Sequence, residues 1–223
     1  MHRVCVFLLS LALVASAQTA RTIQATGTAT LMVNPDQASL DVGVTTTAAT
    51  AQDSAAQNAA QTTGVLSSVK AVLNGAGTVQ TQNYSVSPRY TTNGSTSTIN
   101  GYVTSNTLRV VTTDLSLLGR LIDAANAAGA NTVGNLAFGL QDPDPNVQQA
   151  LANATKQAMA HANAIAGGLG GKAGPVVSAM EGSSYSPILI GGYSGNGAAA
   201  TITPVQTGTV SVYANVTLIV QLQ

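Results

Sequence analysis

Residues 38 to 45 read Ala-Ser-Leu-Asp-Val-Gly-Val-Thr. Ala38, Leu40, Val42 and Val44 alternate with Ser39, Asp41, Gly43 and Thr45. A period of two belongs to a strand with one buried face, because successive side chains leave a strand on opposite sides. The same period closes the chain, where Val212, Ala214, Val216, Leu218 and Val220 face one way within residues 210 to 222. Two such runs near opposite ends commit the chain to sheet structure that buries one side.

Between them the pattern alternates in type. Strand-like runs from Thr22 to Thr47 flank Asn34-Pro-Asp-Gln37, where Pro35 fixes φ in a turn. Thr50 and Asp53 are spaced to cap a helix whose apolar face is read as Ala51, Ala55, Leu66, Val69 and Leu73, stopped by Asn-Gly-Ala-Gly at 74 to 77. Thr78 to Tyr90 reads as a strand, then a polar loop at 91 to 98, then a strand from Ile99 to Thr113. Asp114 is placed to cap a helix striped by Leu118, Leu121, Ile122 and Ala125 and ended by Gly129. A strand from Asn131 to Leu140 and a helix over about 146 to 167 follow. Gly167 to Gly174 reads as a glycine-rich hinge, Pro175 to Glu181 as a short strand, and 183 to 207 as a long flexible Gly/Ser/Pro-rich loop. The expected fold class is α+β, a mixed and largely antiparallel set of strands with three main helices. The order of elements also hints at two related halves.

The N-terminus carries an address. A short basic start precedes the apolar run Val4 to Val14, and Ala15-Ser16-Ala17 supplies small residues for cleavage before Gln18. This reads as a secretory signal peptide over residues 1 to 17, too short to span a membrane. Cys5 lies inside it, at the start of the apolar run rather than after it, so it is neither a lipoprotein cysteine nor a disulfide partner. The expected mature chain, 18 to 223, is a single domain without cysteine, held together by its core alone. No later stretch reaches the ~18 consecutive apolar residues of a membrane helix.

Charged residues make up 7% of the chain, against about 25% in ordinary soluble domains. They are scattered singly, so no basic patch could neutralise a row of phosphates, which argues against nucleic acid and anionic membranes as partners. His161 is the only histidine after the leader, a lone helical residue whose ordinary role is structural. Asp142 and Asp144 flank Pro143 and read as a turn with negative charge at a helix start. Glu181 has no carboxylate nearby in sequence to make a glycosidase pair. Gly168-Leu-Gly-Gly-Lys-Ala173 spells a nucleotide fingerprint but follows a helix rather than a strand. The four glycosylation sequons, at Asn83, Asn93, Asn153 and Asn215, are what a chain rich in Asn, Ser and Thr produces. No catalytic, cofactor-binding or metal-ligating residue is expected from these patterns.

The segment at 25 to 44, with Gly27, Val33, Pro35 and Asp36 in place, resembles the opening of the SIMPL domain family, formerly DUF541. Residues 81 to 90 and 99 to 131 resemble its central block, with Tyr84, Pro88, Tyr90, Gly101, Tyr102 and Gly129 at matching positions. The resemblance runs from about Thr22 to Leu222. It implies an α+β fold, an exported bacterial protein without known catalytic residues, links to envelope or oxidative stress, and homo-oligomers in some members. One departure is compositional: the third helix lacks the many charges usual in the family. The expectation is a non-enzymatic periplasmic or secreted protein that forms a homo-oligomer or binds an envelope protein. The alternatives are a small-ligand binding module with the 183 to 207 loop as a lid and, last, a hydrolase using His161 with a serine.

Overall fold

The structure, a computed structural model, describes residues 21–190 and 203–223. Residues 1 to 17, read from the sequence as a signal peptide, and most of the glycine-rich stretch from 191 onward lie outside the described residues. Eight strands and three α-helices follow in the order β1 (Thr22–Val33), β2 (Gln37–Ala48), α1 (Ala51–Leu73), β3 (Gly77–Asn93), β4 (Thr96–Thr112), α2 (Leu118–Ala127), β5 (Thr132–Gly139), α3 (Asp144–Gly168), β6 (Ala173–Ser186), β7 (Ile188–Ile190) and β8 (Val210–Leu222). They form a three-stranded sheet, β1-β8-β6, and a five-stranded sheet, β3-β4-β2-β5-β7. Every pairing is antiparallel. The α+β expectation therefore holds.

The five-stranded sheet buries the period-two face of β2. Ala38, Leu40, Val42 and Val44 join Leu108 and Val110 of β4 and Phe138 of β5 under Val65, Val69 and Leu73 of α1 and Leu118, Leu121 and Ala125 of α2. The smaller sheet buries Val212, Ala214, Val216, Leu218 and Val220 of β8, with Ile23 and Ala25 of β1, under α3. On α3 the contact face is made of Ala150, Ala154, Ala158, Ala162 and Ala166, all 0% exposed. Side chains four apart stack on one helical face, and methyl groups let the helix lie almost on the sheet. The contact is closest at Gly27, where an added Cβ would collide with the Ala154 carbonyl oxygen and the Ala158 nitrogen. Only glycine fits there.

The helix boundaries follow the capping chemistry. Thr50 Oγ accepts from the Asp53 amide (3.1 Å) and donates to the Asp53 carboxylate (2.7 Å). Asn74 ends α1 in the left-handed region at φ 41°. Asp114 caps a single 3₁₀ turn, Leu115–Leu117, that leads into α2. Gly129, at φ 103°, ends the α2 segment against Gln61.

Five expectations change. The polar stretch at 91 to 98 is no loop: β3 and β4 continue through it and turn at Gly94 (φ 61°) and Ser95, a tight hairpin that needs glycine at its first corner. The buried face of α1 is Ser54, Asn58, Thr62, Val65, Val69 and Leu73, so its first half was misphased. Residues 183 to 190, assigned to a loop, complete β6 and form β7, and Gly167 and Gly168 belong to α3 rather than to a hinge. The two halves are not consecutive either. The smaller sheet is assembled from both ends of the chain, β1 beside β8, around the larger one.

Candidate functional site

The outer face of the five-stranded sheet, away from α1 and α2, carries the polar half of β2's alternation. Asp41 sits there with 6% of its surface exposed. Its register partner on β4 is Arg109. Arg109 Nε donates to Asp41 Oδ1 (2.9 Å) and Nη2 donates to Oδ2 (3.2 Å), a side-on bidentate pair. Asn135 Nδ2 donates to Asp41 Oδ2 (2.9 Å). Asn135 occupies the left-handed region at φ 50°, at the irregularity where β5 shifts register against β2 between Ser39 and Asp41. A bulge residue in this conformation re-aims its side chain, and asparagine tolerates it better than most. Gln82 completes the cluster with its amide turned to donate to both Asp41 oxygens (3.0 and 2.8 Å) and accept from Arg109 Nη2 (3.1 Å). The hydrogen bond that Arg109 donates to Asp41 raises the Arg109 pKa above the ordinary arginine value, against the opposing effect of burial.

Beside this cluster lies a cavity of about 430 Å³ whose lining includes Gln37, Ser39, Arg109, Asn135, Ala137 and Tyr185. The end of β5 is tied down at its rim. The Leu140 N–H donates to the Tyr185 hydroxyl oxygen (2.5 Å) and the Gln141 N–H to Asp36 Oδ1 (2.7 Å). The Pro35-Asp36 turn thus anchors the corner between β1 and β2 to β5, with Pro35 buried. A larger hollow of about 550 Å³ opens between the end of α1 and the turn at Asp114. The Asp114 carboxylate there is engaged by the Ser116 amide (3.0 Å) and hydroxyl (2.6 Å), so it serves the helix start.

The residues weighed in the sequence are dispersed. His161 Nδ1 meets the Thr26 carbonyl on β1 (2.7 Å). One turn earlier on α3, Gln157 accepts from the Thr28 amide (2.5 Å). The two side chains cover polar groups on the free edge of β1. Asp142 accepts from the Asp144 amide (3.0 Å) at the start of α3. Glu181 is exposed on β6. Gly168 to Ala173 follows α3, with Gly171 N–H bonded back to the Ala166 carbonyl (2.9 Å). Among the described residues, no three His, Cys, Asp or Glu side chains gather where they could hold a metal ion, and no helix is long and apolar enough to cross a membrane. Asp41, Arg109 and Asn135 gave no local signal, since 68 residues separate Asp41 from Arg109.

A family model described as SIMPL, protein of unknown function (DUF541), matches residues 23–220. The chain belongs to the SIMPL family. It is 29% identical over 164 residues to the 26 kDa periplasmic immunogenic protein of Brucella melitensis, a match covering 71% of this chain and 66% of that protein, just under two thirds of its length. It is 30% identical over 169 residues to the uncharacterized protein YggE of Escherichia coli strain K12, covering 74% of this chain and 68% of that protein. Pro35 and Asp36, which carried the resemblance, lie at the β1–β2 corner, and Gly27 at the closest helix contact. In this chain Gly27, Pro35 and Asp36 build the frame.

Proposed function

We propose that this SIMPL protein is exported to the periplasm and acts there without catalysis, through protein surfaces and by self-association. One observation carries the reading. β4 pairs with β2 only as far as Tyr102, while the β3–β4 ladder runs on to the turn at Gly94. The hairpin therefore overhangs the sheet as a two-stranded arm, which gains little stability alone in water. Tyr90 and Ile99 on this arm are 58% and 52% exposed, and Tyr84 and Val86 are exposed just below it. β3 also forms one edge of its sheet, and Arg89 is the only charged residue along it to guard that edge. The name of the Brucella relative supports the periplasmic placement.

Light scattering on the purified protein is the test. A discrete multiple of the chain mass is expected, falling to a monomer when Tyr84, Tyr90 and Ile99 are replaced by Ser, Ser and Thr. A monomer at micromolar concentration in the unaltered protein sinks the reading. A link to envelope or oxidative stress belongs to the same proposal through the family resemblance. It predicts that deleting the gene raises sensitivity to peroxide, and unchanged survival would remove the link. A small-ligand role is a second reading, favoured by the cavity beside Arg109.

A further inference from the structure

The Asp41–Arg109 pair leaves part of the guanidinium unspent. Arg109 uses Nε and Nη2 on Asp41 and Gln82, so the two N–H groups of Nη1 have no partner among the described residues. The side chain is 43% exposed and lines the 430 Å³ cavity. Tyr185, on the same lining, accepts from Leu140 and keeps its own O–H to give. Ser39, also on the lining, has no side-chain hydrogen bond among the described residues and is only partly exposed. Donors of three kinds thus surround one space. The nearby acidic group, Asp41, already takes hydrogen bonds at both oxygens.

We propose that Arg109, Ser39 and Tyr185 form a binding site for the carboxylate of a small monoanionic ligand, seated in this cavity. Two N–H groups on one nitrogen and two hydroxyls match the acceptors of a carboxylate, and a charge-assisted bond to Arg is the strongest of the set. Charge selects the class. Asp41 and Arg109 sum to zero, so the pocket receives one negative charge through oriented donors, while a dianion meets the Asp41 field without a compensating cation. The volume lies in the range of small-molecule sites, and Ala137 and Pro187 offer apolar wall for a ligand body larger than acetate. Asn135, held in its unusual conformation, fixes Asp41 and through it the outward edge of Arg109. The site deepens the small-ligand reading and is independent of assembly, because it lies toward the Gln37–Gly139 end of β2 and β5, while the arm overhangs the Ala48–Tyr102 end.

The test is a titration of the full protein by amide NMR with benzoate, acetate and inorganic phosphate. Saturable shifts at Ser39, Arg109 and Ala137 are expected, with millimolar affinity, benzoate ahead of acetate and phosphate last. Ser39→Ala should weaken benzoate roughly tenfold with an unchanged melting temperature, since that hydroxyl holds nothing else. Arg109→Lys keeps a cation for Asp41 but removes the outward N–H pair, and should abolish saturation. Absence of saturable benzoate shifts at these residues overturns the proposal. So does phosphate binding as tightly as benzoate, or benzoate binding indifferent to Ser39→Ala. If Arg109→Lys fails to fold, Ser39→Ala decides alone. Self-association is read separately by mass, so failure of one reading leaves the other standing.

Discussion

At the scale of single residues, position 27 is the most constrained. Its missing Cβ lets α3 rest on β1, and the collisions an alanine would meet are with helix backbone, which cannot rotate away. Gly27→Ala should cost about 1–3 kcal/mol, the range for overpacking a core, read as a drop in melting temperature. A wild-type melt would show that α3 moves outward at no cost. Asp41 and Arg109 make the contrasting case. Removing the guanidinium leaves a nearly buried carboxylate, whereas neutralising Asp41 leaves a half-exposed cation that water can reach. Arg109→Met should therefore destabilise more than Asp41→Asn, with the order checked by urea unfolding. Because the Arg109 pKa is raised, its contribution is complete below the unfolded arginine value and fades only in strong alkali. Raising the pH from neutral to mildly alkaline should leave that contribution unchanged. Gly27 and Asp36 were legible as family positions; the Asp41 partnership was not, because nothing local ties the strands of a sheet to one another.

Among the elements, α1 departs furthest from a simple amphipathic helix. Ser54, Asn58 and Thr62 recur every fourth residue on its buried face. They are tolerated because each is satisfied. Ser54 Oγ meets Thr104 Oγ1 (2.8 Å), Asn58 Nδ2 donates to the carbonyls of Val44 (2.8 Å) and Thr104 (3.1 Å), and Thr62 donates to Asn58 Oδ1 (3.3 Å). Asn58 thereby bridges β2 and β4. Asn58→Leu removes those donors from a buried setting and should cost roughly 2–4 kcal/mol, measured by calorimetry. A neutral result would mean that the two carbonyls find other donors. The sequence reading put Ala51 and Ala55 on this face because hydropathy scores Ser, Asn and Thr as surface residues. In the second half Val69 and Leu73 carry the contact as read, while Val65 rather than the expected Leu66 is fully buried. The β1 edge shows the same reach of tertiary structure: Gln157 and His161 look like ordinary polar helix residues until they are seen covering a strand.

For the whole molecule, the two apolar clusters share no residue. One lies under α3 and the other under α1 and α2, and the chain passes between them at the β1–β2 corner, from β5 to α3 and from β6 to β7. Hydrogen exchange should register that division. In Gly27→Ala, amides of β1, α3 and β8 are expected to lose protection ahead of those in β2, β4 and α1. A uniform loss across both sheets would mean that the layers unfold as one unit. β8 belongs to the layer begun by β1, so a chain cut before Val210 should fail in both β1 and α3 although neither is touched.

The sequence by itself determined the three helices and the cores of most strands, and which face of β2, α2 and β8 is buried. Periodicity, capping residues and left-handed glycines act over a few residues, so they are written where they operate. Tertiary structure alone decided that β1 and β8 close one sheet, that β3 and β4 run through a polar stretch into a tight turn, and that Ser54, Asn58 and Thr62 go inside. It also brought Arg109, Asn135 and Tyr185 to one cavity, with Asp41 bonded to the first two beside it. These outcomes depend on partners far apart in the chain, whose hydrogen bonds and charges offset the loss of water only once the sheets are assembled.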